Sequence, residues 1–353
     1  MINKDTDFFE NTNNFLKTLN IKSIQILKSN LNFKPKFSIV IPTYKRVDLL
    51  KEAIDSAINQ VGYKCYDIIV VDNNPERNCE TEKLMMSYNN IHISYYKNSE
   101  NIGMFGNWNR CVELTNGEWT CMLHDDDKVE SNYLLDLSEV IIAKPDAGFI
   151  SSRLKMLFQN KVESKTLKKQ ALTRLRIFAD GLISNVSKVN NNDFLFGFNA
   201  YLVGSCFKKE LAIQMGGFNA DYFPSSDYYF VAKFQYKFGN VYHLRKKNYV
   251  YRIFNNESLN VNTGRLFLIN DYQFQNYLIK YNKFKASFLL HYLNKVYVVR
   301  RLVSQKATYG VDLDLTSIFK DLNIPLQYKS ILYQFLGGLF LNTLSIYRLL
   351  FKF

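Results

Sequence analysis

Three carboxylates in a row, Asp125, Asp126 and Asp127, directly follow the apolar run Trp119-Thr-Cys-Met-Leu-His124. Adjacent like charges repel, so a fold that gathers them at the end of a buried strand calls for a cation. Their oxygens are hard ligands, which suit Mg2+ or Mn2+. A solvated acidic turn with Lys128 as counter-charge is the alternative that the triplet alone leaves open. The four histidines, at 92, 124, 243 and 291, show no metal-ligand spacing, and His124 beside the triplet reads as a packing residue. Cys65, Cys79, Cys111, Cys121 and Cys206 are odd in number and contain no CxxC pair, so they suggest reduced thiols, with neither a zinc site nor a disulfide framework.

The elements that must carry these acids repeat along the chain. Phe37 to Pro42, Asp67 to Asp72, Ile91 to Tyr96 and Trp119 to His124 are short β-branched or aromatic runs of buried-strand type. Between them, Lys45 to Gln60, Glu80 to Tyr88 and Phe105 to Leu114 have helical spacing, with Gly62 and Gly117 as stops. Strands alternating with helices predict an α/β fold with a parallel sheet, whose ligands bind outside the carboxyl ends of the strands. Those ends supply Thr43 and Tyr44, Asp72 and Asn73, and Asp125 to Asp127.

Taken in order, Ser38-Ile-Val-Ile-Pro-Thr-Tyr-Lys-Arg46, Val71-Asp72-Asn73, Asn101-Ile-Gly103 with Asn109 and Gly117, and Leu123-His-Asp-Asp-Asp127 resemble family 2 glycosyltransferases with the GT-A fold. The resemblance continues through Gly216-Gly217-Phe218 and Ser226-Asp227 and covers roughly Phe37 to Asn260. It implies a Rossmann-like, mixed and mainly parallel sheet flanked by helices. It also implies that Pro42, Thr43 and Tyr44 line a nucleotide pocket, that Asp72 hydrogen-bonds the base, usually uracil, and that Arg46, Asn73, Asn101, Gly103 and Asn109 belong to the same donor site. Asp125-x-Asp127 is similar to the DXD motif, which makes Asp127 the direct metal ligand with Asp125 beside it and puts Asp126 near the donor ribose or sugar. Asp227 matches the catalytic base, although Ser226 stands where the family commonly has Glu. Tyr249 to Phe254 looks like the family's closing loop, with Phe254 in place of a histidine and Arg252 as a diphosphate partner.

Such an enzyme needs a Lewis acid for the departing diphosphate and a carboxylate on the opposite side to take the acceptor's proton. A base and leaving group on opposite faces give single displacement, hence inversion. The expected cofactor is Mn2+ or Mg2+, the expected donor a UDP-sugar and the expected acceptor a glycan or lipid-linked glycan of a bacterial surface polymer, with a hexose the sugar transferred. A formal net charge of +13 over 353 residues fits an anionic donor and membrane without nucleic acid. Two other readings fit parts of the chain. Met122 to Val129 also matches the acidic strand motif of haloacid-dehalogenase-like phosphatases, and the basic, aromatic-rich composition would suit a nucleic-acid-binding module, though its Lys and Arg residues are scattered.

Three regions follow: a helical extension over 1–36, with Phe8 to Leu31 as one or two amphipathic helices, a catalytic domain over 37–258, and a helical region over 259–353. No apolar leader follows the start, which predicts a protein that stays in the cytoplasm, peripheral at the inner face of the membrane. Ile331 to Phe353 carries a broad apolar face with Arg348 and Lys352 near one end, as an interfacial helix or a buried terminal helix would.

Overall fold

The computed structural model describes residues 7–158, 185–196, 202–253, 260–309, 313–330, 334–335 and 337–344. Its strands are β1 (Ser23–Leu27), β2 (Phe37–Thr43), β3 (Tyr66–Asp72), β4 (Ile93–Asn98), β5 (Trp119–Met122), β6 (Lys128–Val129), β7 (Phe149–Phe158), β8 (Val186–Lys188), β9 (Cys206–Lys208) and β10 (Val241–Ile253). They form one sheet in the order β1-β4-β3-β2-β5-β9-β7-β10-β6, with β8 also on β10. Pairing is parallel across β4-β3-β2-β5 and between β7 and β10, and antiparallel at β1, β6, β8 and β9.

Every residue of β2 and β3 is buried, as expected of parallel strands covered on both faces. Side chains alternate along them, so one apolar run feeds two cores. Ile39, Ile41, Ile68, Val70, Cys121 and Leu123 face α1 (Val47–Ile58), α2 (Glu80–Ser87) and α4 (Tyr133–Ala143). Val40, Ile69, Val71 and Met122 face α3 (Gly103–Leu114), α5 (Lys209–Met215) and α6 (Ser226–Phe238). In α1 the buried Leu50, Ala53, Ile54 and Ala57 recur at helical spacing and fix its inner face. The strand ends therefore open on one edge, where the polar residues lie.

The N-terminal segment differs from its expected helices. Residues 14–18 form a 3-10 turn, and Ser23–Leu27 pairs antiparallel with β4. The reason is tertiary: β4 offers an unpaired edge to Ile24 and Ile26, while Phe8 and Phe15 insert into the core beneath α6. Phe8 contacts the rings of Tyr222, Tyr229, Phe274 and Tyr277.

After β10 the chain is helical, with α7 (Val261–Tyr281), α8 (Ser287–Tyr309) and α9 (Leu315–Asp321). Asn260 caps α7 by accepting from the amides of Asn262 and Thr263. Leu268, Ile269, Val298, Leu302, Ile318 and Phe319 make a separate small core among these helices. Helical residues 337–344 lie against α8, and Leu341 joins the main core while Phe335, Leu339 and Phe340 stay exposed. Ile331, Leu332, Arg348, Lys352 and Phe254 lie outside the described residues.

Candidate active site

At the carboxyl end of the sheet, the turn 125–127 follows β5, whose hydrogen-bonded course extends as far as Leu123 through its amide to the Val40 carbonyl. Strand alternation continues into the turn. His124 points to the face of Met122 and α3, where its ring lies 5.0 Å from that of Trp108. Asp125 turns the other way, towards β2, and accepts from Thr43 Oγ1 at 2.8 Å. Arg46, which follows β2, donates to Asp126 at 2.8 Å and lies 3.6 Å from Asp125. Thr43 and Arg46 thus meet the acidic turn. Pro42 is buried within β2, and Tyr44 is exposed beside them.

Asp127 is held from β10. Tyr249 donates its hydroxyl to Oδ2 at 2.9 Å, and the backbone N–H of Arg252 donates to Oδ1 at 2.8 Å. The same Tyr249 oxygen accepts from the backbone N–H of His124 at 3.2 Å, so one phenol fixes both ends of the turn. Gly204 makes room for it: a Cβ there would sit 2.7 Å from the Tyr249 ring, and its φ of +74° disfavours other residues. Burial and the charge of Asp126 push the Asp127 carboxyl up to about 8 and the Asp125 carboxyl up to about 6. These are acids that the protein keeps short of compensating charge.

His124, Asp126 and Asp127 each offer a ligand atom, all within 4.8 Å of one another. Two carboxylates and an imidazole fit a divalent cation, and Nε2 of His124 is buried without a hydrogen-bond partner. Asp125, expected to share the metal with Asp127, is not in this trio, because its carboxylate is turned towards Thr43.

Arg252 takes a different place from the diphosphate contact read from the sequence. Its Nε donates to the Asp126 carbonyl at 2.9 Å, and its guanidinium pairs with Glu52 of α1 at 2.7 Å. Lys128 also pairs with Glu52, and the two cations hold the Glu52 carboxyl below the ordinary range. No sequence signal marks Glu52, which lies on the surface of an amphipathic helix.

Two further expectations are corrected. Asp72 is fully buried, and both its oxygens are taken: Oδ1 accepts from the Asn74 amide, and Oδ2 from Tyr95 and Lys97 at 2.8 and 2.9 Å. It shapes the loop after β3, with no carboxylate oxygen free of a partner. Asn109 is spent on the Gly216-Gly217-Phe218 turn, donating to the Phe218 carbonyl and accepting its amide. That turn needs its glycines, with φ of +90° and +72°; a Cβ on Gly216 would lie 2.0 Å from the Thr12 carbonyl. Asn73 and Asn101 are linked to each other, and both hold the start of α3 at Gly103. Since the Asn73 amide donates to the Thr43 carbonyl, this loop forms the wall beside Thr43.

Asp227 lies in the first turn of α6. From Phe223, just before this helix, a row of ring contacts runs to the acidic turn: Phe223 contacts Phe105, Phe105 contacts Trp108, and Trp108 contacts His124. Burial raises the Asp227 carboxyl to about 6, and Asp271 of α7 pushes it in the same direction. Asp271 pairs with Arg301 of α8 at 2.8 Å, and no sequence motif marks either.

Residues 38–205 match the family model described as glycosyl transferase family 2. The chain is 26% identical over 232 residues to a GalNAc(5)-diNAcBac-PP-undecaprenol beta-1,3-glucosyltransferase of Campylobacter jejuni, covering 65% of this chain and 69% of that protein. It is 28% identical over 122 residues to the amylovoran biosynthesis glycosyltransferase AmsB of Erwinia amylovora, covering 32% and 39%. An uncharacterized glycosyltransferase of Rickettsia conorii is 39% identical over 90 residues, but only 14% of its length is spanned, against 26% of this chain. Among solved structures, S. aureus TarS 1–349 superposes with a TM-score of 0.56 at 15% identity, covering 82% of this chain and 78% of that one. The same protein in complex with UDP-GlcNAc gives 0.52 at 14%, covering 89% and 81%.

Proposed function

The chain belongs to glycosyl transferase family 2 and has the GT-A fold, and from that premise we propose an inverting, metal-dependent transfer of a hexose. The donor is a nucleoside diphosphate sugar with uracil as its base, and the acceptor is a hydroxyl of a growing surface glycan. The observation that carries the reading is the acidic turn at the carboxyl end of β5, with Arg46 across it and Asp127 fixed from β10.

Asp127 and Asp126 would hold the divalent ion, Mn2+ or Mg2+. When bound, it supplies Lewis-acid neutralisation of the departing diphosphate. Arg46 is exposed enough to turn from Asp126 to a diphosphate oxygen and add its guanidinium fork. Thr43, Tyr44 and the Asn73–Gly103 wall bound the nucleotide. The acceptor oxygen bonds to the anomeric carbon as the bond from that carbon to the diphosphate breaks, and Asp227 takes the hydroxyl proton. A raised carboxyl suits this role, because it binds the proton more strongly than an ordinary aspartate does.

Two similarities support the substrate class. The Campylobacter relative is named for an undecaprenol-linked acceptor, and the TarS structure was solved with UDP-GlcNAc. A lipid-linked acceptor and the formal net charge of +13 support peripheral contact at the inner face of the cell membrane. No helix among the described residues is long and apolar enough to cross a membrane. A thermal-shift screen of nucleoside diphosphates and their sugars, each with Mn2+ and with EDTA, tests the reading, because a specific donor stabilises by mass action. Stabilisation by UDP or a UDP-sugar only with the metal is the expected outcome. No shift with any nucleotide contradicts it.

A further inference from the structure

The residue at the acidic turn that the reaction above does not use is His124. It sits between Trp108, whose ring is 5.0 Å away, and the carboxylates of Asp126 and Asp127, and Tyr249 holds its backbone. A packing histidine should satisfy each ring nitrogen that it buries. Here Nε2 is enclosed without a partner, in a structure where burying such a group costs roughly 1–3 kcal/mol.

We propose that His124 is a protein ligand of the donor-site cation, together with Asp126 and Asp127. The inference rests on the donor-site reading and deepens it, because the donor set decides which metal is preferred. Two carboxylates balance the charge of a divalent ion. An imidazole nitrogen as third ligand shifts preference from Mg2+, which favours oxygen and water, towards Mn2+ and its first-row neighbours. The assignment also divides the acidic triplet. Asp126 and Asp127 go to the ion, whereas Asp125 stays with Thr43 at 2.8 Å and orders the end of β2. Arg46, which now holds Asp126, then turns to the diphosphate.

The direct test is pulsed EPR of Mn2+ bound to the chain, free of any histidine tag, with UDP present. Coupling to a histidine 14N should appear in the echo modulation, be replaced on 15N-histidine labelling, and vanish in His124→Phe, which keeps a ring against Trp108. Mn2+ affinity in that variant should fall at least about tenfold, a loss usual even for groups that only orient a ligand, and selectivity for Mn2+ over Mg2+ should narrow. His124→Gln serves if the phenylalanine variant does not fold. Tight Mn2+ binding in the wild type without nitrogen coupling, and with unchanged affinity in the variant, overturns the assignment and leaves the carboxylate site standing. No Mn2+ binding in the wild type overturns the donor-site reading itself.

Discussion

Arg252 donates its backbone N–H to Oδ1 of Asp127 over 2.8 Å, which ties the far end of β10 to the acidic turn after β5. The side chain adds a second tie through the Asp126 carbonyl and a third through Glu52. This side chain is nearly buried, so its loss leaves the Asp126 carbonyl unsatisfied near the turn. Arg252→Ala should therefore lower unfolding free energy by about 1–3 kcal/mol and weaken metal-dependent UDP binding at the same time. Glu52→Gln should have a smaller effect, because Glu52 is 42% exposed and solvent replaces its contact. Urea unfolding and calorimetry measure the two quantities; an unchanged midpoint with unchanged affinity in Arg252→Ala contradicts the latch.

Asp227→Asn should bind the donor normally and lose about 10²- to 10⁴-fold in turnover, the usual contribution of a general base. Because the carboxyl is pushed up to about 6 from an ordinary 3.8, kcat/KM of the wild type should rise with pH through about 6. Stability runs the other way. Folding favours the protonated form, so the stability it gives is complete below about pH 4 and is lost as pH rises through about 6. The asparagine variant cannot ionise and should match wild type at pH 4 but gain on it by pH 7. Near-normal turnover, or parallel stability curves, removes Asp227 from this role.

Lys97→Met tests whether Asp72 anchors its loop. The pair is almost wholly buried, at 2% and 0% side-chain exposure, and Lys97 also donates to the Asn74 carbonyl. Removing one partner of such a pair costs about 3–5 kcal/mol through the charge left behind. Denaturant unfolding should show that loss. A cost under about 1 kcal/mol means that Asp72 is not the anchor of its loop.

The contrast between what the sequence reveals and what it hides has a physical pattern. β2 to β5 are legible because each is a continuous apolar run that ends in turn residues, and the acidic triplet is legible because like charges rarely crowd after a buried strand. Ser23–Leu27 misleads, since helical spacing competes there with the free edge of β4, which only the folded sheet presents. The Glu52–Arg252 pair joins residues 200 positions apart, and no local pattern marks them as partners. Asn109 enters the expected donor site through the family resemblance alone, whereas here two backbone groups of Phe218 use it up. His124 reads as packing because its neighbours in sequence say nothing about the enclosed ring nitrogen.

The terminal helical residues present one buried and one exposed side. Gly337 lies against Val296 and Leu341 enters the core, so deleting them should lower the melting temperature. Phe335, Leu339 and Phe340 are exposed. Replacing these three by serine should leave the melt and UDP binding unchanged, and reduce sedimentation with anionic liposomes several-fold, in proportion to the apolar area withdrawn from the interface. Equal sedimentation of variant and wild type places membrane contact elsewhere.

Calorimetric titration of UDP into wild type and Asp127→Ala tests most directly whether Asp127 holds a divalent ion on which donor binding depends. The wild type should bind UDP with Mn2+ and lose at least about tenfold in affinity with EDTA, whereas the variant should bind weakly in both. Equal affinity in all four titrations would show that the acidic turn holds no metal for the donor.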